Sequence, residues 1–443
     1  MVAALQATRT TGVAPLAVLF DATGTTSSTA GVDTFRQVTY SFDFGDERGK
    51  TWAVSGVSKN VQTGGPLSAH VFDVAGTYTV KVRATDASGG VSEATVTVTV
   101  QDPNTFYAGT KTICVSAASN FTGCPSGATQ QTTLPSVFNG KRVLLRAGES
   151  FSDISIQDGN SQVIVGSFGT GAKPRVNSVG VGSWRPDTAN FANDITVMDM
   201  AVINGMTQSI GSLVLFYRND LTTAGGTNSI YFGGIKYWAQ DDPYRRVATS
   251  QFQQAREIFL VENNVTGSVS GDGYNVFGDG SRIALLGNVM GTSAYHTVRL
   301  TAAHKAVVAH NELRGISGGG IYHSLKVHAG GLKAYADSYS VSGYSWASEQ
   351  IVVANNTLGS ASDNNQWTVA ICPQNDQYSE GLQNVIVAGN KFIRGRSTVQ
   401  DLTFGGRRMT YRNNTVNTGA SLTEGVGHTG ALPAEWNGPY YSN

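Results

Sequence analysis

Five of the chain's seven histidines fall between residues 296 and 328, and that stretch holds two matching segments. One is His296-Thr-Val-Arg299-Leu-Thr, the other His323-Ser-Leu-Lys326-Val-His328, beginning 27 residues later. If both are strands on adjacent rungs, alternation sends Val298, Leu300, Leu325 and Val327 inward. Arg299 and Lys326 then stack outward, Thr301 and His328 share their face, and His296 and His323 open the strands. Like charges stacked across strands repel unless something offsets them, and only 14% of this chain is charged. A bound anion would offset them, and a polysaccharide carboxylate is a natural one. Repeats also stack similar residues for no functional reason, so an ordinary surface is the plain alternative, with His304 and His310 as turn or ladder groups.

The chemistry that needs such a set is β-elimination from a uronate. A cation neutralises the carboxylate, a base takes the proton beside it, and an acid helps the C4 oxygen leave. Arg299 suits the carboxylate clamp, since its planar fork matches two oxygens and stays protonated. Lys326, beside that fixed charge, gives up its own proton more readily and suits the base. His328 or His296 suits the acid or shares proton transfer, with His323 alongside. One coil earlier, Asp272-Gly-Tyr-Asn275-Val-Phe277 takes the same register, placing Asn275 over Arg299 and Asp272 near His296 as substrate contacts. Hydrolysis is the rival reaction and needs paired carboxylates. Asp272 and Asp279 are its best candidates, while the doublet Asp241-Asp242 reads as a loop or a calcium-facing turn. No cofactor is otherwise called for. A third possibility is an adhesin or spike-like binder that holds glycans without turning them over.

Two aromatic stretches, 230–246 and 330–349, flank this region. Tyr237, Trp238, Tyr244, Tyr335, Tyr339, Tyr344 and Trp346 would line groove walls and stack on sugars, or merely plug gaps against the scaffold.

The scaffold is written in a returning phrase: aliphatic residues, a small or polar one, an Asn, then another apolar residue. It reads FLVENNVT at 259–266, IALLGNVM at 283–290, AVVAHNEL at 306–313, IVVANNTL at 351–358, VIVAGNKF at 385–392 and MTYRNNTV at 409–416. The anchors are taken as Asn264, Asn288, Asn311, Asn356, Asn390 and Asn414, spaced 24, 23, 45, 34 and 24. One coil then takes about 23 residues, with the 45 as two coils. Short Val- and Ile-rich strands at that period predict a solenoid whose coils complete their core only by stacking. Asn at a fixed turn tolerates a left-handed backbone and can form a ladder along the axis. Entry coils fall at 142–156 and 163–169, with weaker ones at 195–205 and 212–222. Propeller blades would need a period of about 40 or more. The chain thus resembles right-handed parallel β-helix proteins over roughly 110–430. The polysaccharide lyases among them use Lys or Arg as base on an outward sheet, which would imply such a role here.

Residues 1–101 alternate as short strands (15–20, 38–44, 77–86, 93–100) with turn residues between, as in a β-sandwich. PLAVLFDATGT at 15–25, YSFDFGD at 40–46 and AHVFDVAGTYTVKVRATDASG at 69–89 resemble the polycystic-kidney-disease (PKD) repeat, an immunoglobulin-like module. The family usually carries Trp where Tyr40 stands and often Gly where Glu47 stands. The resemblance implies a spacer or binder attached to a secreted polymer-acting enzyme. Asp43 and Asp46 read as turn stabilisers and His70 as packing. The division expected is 1–101 for this module and 102–443 for the solenoid.

Gly is 53 of 443 residues and Pro only 11, which suits many tight turns. Lys plus Arg equals Asp plus Glu at 31 each, so bulk charge recruits neither nucleic acid nor an anionic membrane. No apolar run is long enough to span a bilayer. No signal peptide is legible in the first residues, yet a surface rich in Thr, Ser, Asn and Gly leans extracellular. The pair Cys114 and Cys124 is either a small disulfide loop or two free thiols, and Cys372 reads as a buried thiol. A monomer is expected, or a trimer if spike-like.

Overall fold

The computed structural model describes residues 1–183, 191–208, 211–222, 229–233, 255–266, 273–315, 323–328, 348–360, 367–371, 382–393, 400–404 and 407–417. The C-terminal part is an all-β solenoid of parallel strands, a right-handed parallel β-helix with three strands per coil. The coil Arg142–Arg146, Ser150–Phe151, Ile154–Ile156 sets the pattern. Its first strand joins a long sheet, its second a ten-stranded sheet of two- and three-residue strands, and its third the sheet that carries the candidate site. Val276–Leu286 and Val298–Ala309 run unbroken from the site sheet into the long sheet. Inward Val, Ile, Leu, Phe and Met from all three sheets form one continuous core. No single coil encloses that core alone.

Left-handed residues turn the two corners of the long sheet. Where the site sheet passes into it, Gln162, Asp194, Leu213, Glu257, Arg282, Lys305, Gln350, Asn384 and Arg408 all have φ between 53° and 59°. Where the long sheet ends, Asp199, Arg218, Glu262, Gly287, His310, Asn355, Gly389 and Asn413 have φ between 54° and 67°. For a residue with a Cβ such a backbone is costly. After every second corner but the first, where Met200 follows Asp199, an Asn offsets that cost. Asn219, Asn263, Asn288, Asn311, Asn356, Asn390 and Asn414 form a buried ladder in which each backbone N–H donates to the next Oδ1 at 2.9–3.0 Å. Each of their side-chain amides also donates to a carbonyl of an earlier strand, as Asn288 does to Leu260.

This ladder corrects the repeat in two respects. Its member in FLVENNVT is Asn263, whereas Asn264 is exposed at the start of the next short strand. The left-handed residue is the one preceding each ladder Asn. The interval of 45 from Asn311 to Asn356 is a single coil carrying an insertion, since the two side chains bond directly. The interval from Asn219 to Asn263 is another.

The N-terminal module is a sandwich of a three-stranded and a five-stranded sheet. The expected strands appear as Leu16–Asp21, Thr39–Asp43, Gly76–Thr85 and Val91–Gln101. Tyr40 fills the position of the family's Trp, buried with its hydroxyl on the Thr34 carbonyl. His70 is buried inside the sandwich, stacked on Phe44 and 3.0 Å from the Asp46 carboxylate.

This module lies flat on the outer face of the long sheet. Ala17, Leu19, Trp52, Leu67, Ala69 and Val71 meet Leu215, Tyr217, Phe259, Val261, Ala284, Leu286, Val307 and Val352 in a second apolar core. The two rows of left-handed corners form rails on either side. Arg9–Asp194, Asp21–Lys305 and Asp33–Arg408 hold one rail. Lys59–Glu262 and Ser55–His310 hold the other. Gly65 lies so close to the sheet that a Cβ there would meet Val352 at 2.6 Å. Asp102 then caps a short helix, Pro103–Phe106, and Cys114 and Cys124 are joined in a disulfide at the head of the solenoid.

Candidate functional site

The site sits on the outer face of the site sheet. Val276, Val298 and Leu325 point inward in one row, and Leu300 and Val327 in the next. The residues between them must therefore point outward. Tyr231, Phe277, Arg299 and Lys326 follow one another in register along the solenoid axis. Asp279, Thr301 and His328 make the neighbouring file. The expected pairing of Arg299 with Lys326, and of Thr301 with His328, is the pairing found.

Although this face is outward, its side chains are closed off. Arg299 is 6% exposed and His328 1%, with Lys326 half-buried. The Arg299 guanidinium donates from Nε to His328 Nε2 at 2.9 Å and from Nη1 to the Tyr274 hydroxyl at 2.8 Å. It also lies over the Phe277 ring, 5.5 Å from its centroid. Held on two sides, it is a fixed cation, which is what a clamp for developing negative charge requires.

His296 and His323 stack at 5.1 Å just ahead of their strands, and both are buried. The His323 backbone N–H donates to His296 Nδ1 at 3.0 Å, which places the His296 proton on Nε2. Burial, and after it His323, Lys326, Arg299 and His328, push the His296 imidazole far below its ordinary value. His296 is therefore neutral at physiological pH. His328, accepting at Nε2, keeps its proton on Nδ1. A neutral His296 does not supply the protonated acid, one of the two parts expected of it, and sharing proton transfer is the other.

Asn275 does not stand over Arg299. Phe277 does, because the strand's first inward residue is Val276, which meets Val298. The register is shifted by two residues from that expected. Asn275 is fully buried and its amide donates to the Gly291 carbonyl, a structural task. The same shift brings Tyr274 beside His296, with ring centroids 5.8 Å apart. Tyr274 is the site member to which sequence assigned no role, while Asp279, expected only as a carboxylate for hydrolysis, stands in the file with Thr301 and His328. Lining up the inward residues Val276, Val298 and Leu325 would have found Tyr274, His296 and His323 as one file.

Asp272, Tyr237, Trp238, Tyr335, Tyr339 and Trp346 lie outside the described residues, as do Tyr244, Tyr344, Asp241, Asp242 and Cys372. His304 and His310 both fall at corners. His304 lies 3.4 Å from Glu349, and His310 belongs to the contact with the N-terminal module. Among the described residues, no three of His, Cys, Asp and Glu gather as metal ligands. No helix among them is long and apolar enough to cross a membrane.

Residues 3–103 match the family described as the PKD domain. No curated protein matches the chain. Among solved structures it is similar to the A-module of the mannuronan C-5 epimerase AlgE6 of Azotobacter vinelandii. That similarity has TM-score 0.33 and 11% identity, over 70% of this chain and 89% of the other. It is also similar to the family 28 exopolygalacturonase of Yersinia enterocolitica, with TM-score 0.31 and 10% identity, over 94% of this chain and 86% of that one. Similarities at this level leave the reaction to the site's own residues.

Proposed function

We propose that the chain is a secreted, carbohydrate-acting enzyme that cleaves a uronate-containing polysaccharide by β-elimination at the Arg299–Lys326 face. The observation that carries this is the fixed Arg299 cation in register with Lys326 on an outward file, with Tyr274 bonded to the guanidinium. Arg299 neutralises the sugar carboxylate, which makes the adjacent C5 proton acidic. Lys326, in its neutral form, takes that proton. The electron pair forms the C4–C5 double bond, and the bond to the C4 oxygen breaks. The leaving oxygen takes the Tyr274 phenolic proton, and Arg299 stabilises the phenolate until a proton returns. Calcium belongs to the proposal only as an accessory.

A panel of acidic polysaccharides tests it. Turnover should produce ultraviolet absorbance from the new unsaturated uronate. Asp279, a buried carboxylate on the same face, favours glycoside hydrolysis as the second reading. Reducing ends appearing without the absorbance would establish that instead. Tight binding without turnover on every member would make the protein a glycan binder.

A further inference from the structure

Thr301 stands in the file between Asp279 and His328 and two residues along its strand from Arg299. It is 1% exposed, yet its hydroxyl makes no hydrogen bond to either neighbour or to any other group. Buried polar groups are nearly always paired, so an unpaired one asks for a reason. A second unpaired hydroxyl, Ser324, belongs to the turn leading out of the His296–His323 stack. Thr301, by contrast, lies in the strand proper, where that strand leaves the site sheet. There the pairing slips by one residue after Asp279, and Ser348 bridges the gap by accepting from Ala303 N–H and donating to the His328 carbonyl. Bulges of this kind re-aim side chains beside functional sites.

We infer that Thr301 is a substrate-positioning residue, its hydroxyl reserved for a ring hydroxyl of the sugar whose carboxylate Arg299 holds. This rests on the reading of the face as a uronate site. Outward residues two apart on a strand are separated by about 7 Å, and a hexuronate ring with its substituents spans such a gap. A hydroxyl that both donates and accepts suits a sugar hydroxyl. Without substrate the group goes unsatisfied, so the site carries a cost in the resting protein that binding removes.

The test compares Thr301→Val with Thr301→Ser. Valine keeps the shape and deletes only the unpaired hydroxyl, so the melting temperature should hold or rise. The same variant should raise KM and lower kcat/KM by about tenfold, the equivalent of one lost hydrogen bond to substrate. T301S should restore kcat/KM to near the wild-type value. A T301V enzyme with wild-type kinetics overturns the inference while leaving the β-elimination reading intact. A lower melting temperature also overturns it, since the hydroxyl would then have had an internal partner. If the wild type turns over nothing on the panel, the reaction falls, and affinity for the best-bound polysaccharide decides. Unchanged affinity in T301V then overturns the inference, and a wild type that neither binds nor reacts overturns both.

Discussion

At the scale of single residues, the site depends on one guanidinium that does several things at once. Arg299 holds His328, holds Tyr274 and lies on Phe277. A lysine there would keep the charge and lose the planar fork, so Arg299→Lys should lower kcat/KM by at least tenfold, on the order of 1.4 kcal/mol or more. Lys326 plays a different part. As the base it acts only in the transition state, so Lys326→Ala should abolish turnover and leave binding largely intact, whereas Arg299→Ala should damage both. Steady-state kinetics with a separate binding measurement decide between them. Near-normal activity in K326A would remove Lys326 from the mechanism. Strand alternation made the outward pair of cations legible in sequence, because Val298, Leu300, Leu325 and Val327 could only face the core. The exact register of the preceding coil was not legible. Parity leaves shifts of two residues open, and packing of Val276 against Val298 chooses among them.

At the scale of the coil, the ladder separates two neighbouring asparagines that sequence alone did not distinguish. Asn263 accepts from the Asn219 backbone and amide and donates to the Phe216 carbonyl. Removing its side chain leaves several buried groups unpaired, each costing about 1–3 kcal/mol. Asn263→Ala should therefore lower the melting temperature by many degrees. Asn264 is exposed, and Asn264→Ala should change stability by no more than about 0.5 kcal/mol. Equal effects in the two variants would mean the ladder runs through the wrong residue. The repeat was visible because each coil must bury the same aliphatic pattern. Its exact anchor was hidden by the Asn-Asn doublets at 263–264, 355–356 and 413–414, where two equivalent side chains compete for one slot. Insertions were hidden for a related reason: a coil closes on its neighbour however much chain leaves and returns between corners.

At the scale of the molecule, the N-terminal module is joined to the long sheet, which no pattern in residues 1–101 announced. The surface Ala17, Leu19, Ala69 and Val71 reads as ordinary strand alternation until the partner sheet is seen. Gly287 shows how close the contact is. It turns a corner at φ 63°, and a Cβ there would meet the Trp52 ring at 2.5 Å. Gly287→Ala should push the module away and raise protease sensitivity near Trp52, without unfolding the solenoid core. A variant as resistant as the wild type would mean that the contact yields easily.

Acid should loosen the same joint. His310 is buried against Trp52, with ring centroids 5.2 Å apart, and its Nδ1 meets Ser55 Oγ at 2.8 Å. Its other nitrogen has no partner, and burial lowers its pKa from 6.5 to about 4. Lys59 lies over the Trp52 ring of that stack and is paired with Glu262. A group more acidic when docked takes up its proton on release, so His310 favours docking above pH 6.5 and opposes it progressively as pH falls toward 4. The full effect is on the order of 3 kcal/mol. Asp73 acts in the same direction at lower pH. Burial raises its pKa, but hydrogen bonds from Lys50 and from Tyr217 across the joint outweigh that and hold it below the ordinary 3.8. Its contribution is present above the unfolded value and lost as pH drops through the lower, docked one. Small-angle scattering from pH 7 to pH 4 should therefore show the two parts separating in wild type. His310→Phe, which keeps the ring on Trp52 and cannot titrate, should stay compact to lower pH. Identical profiles for the two proteins would show that His310 is not the group that acid acts on.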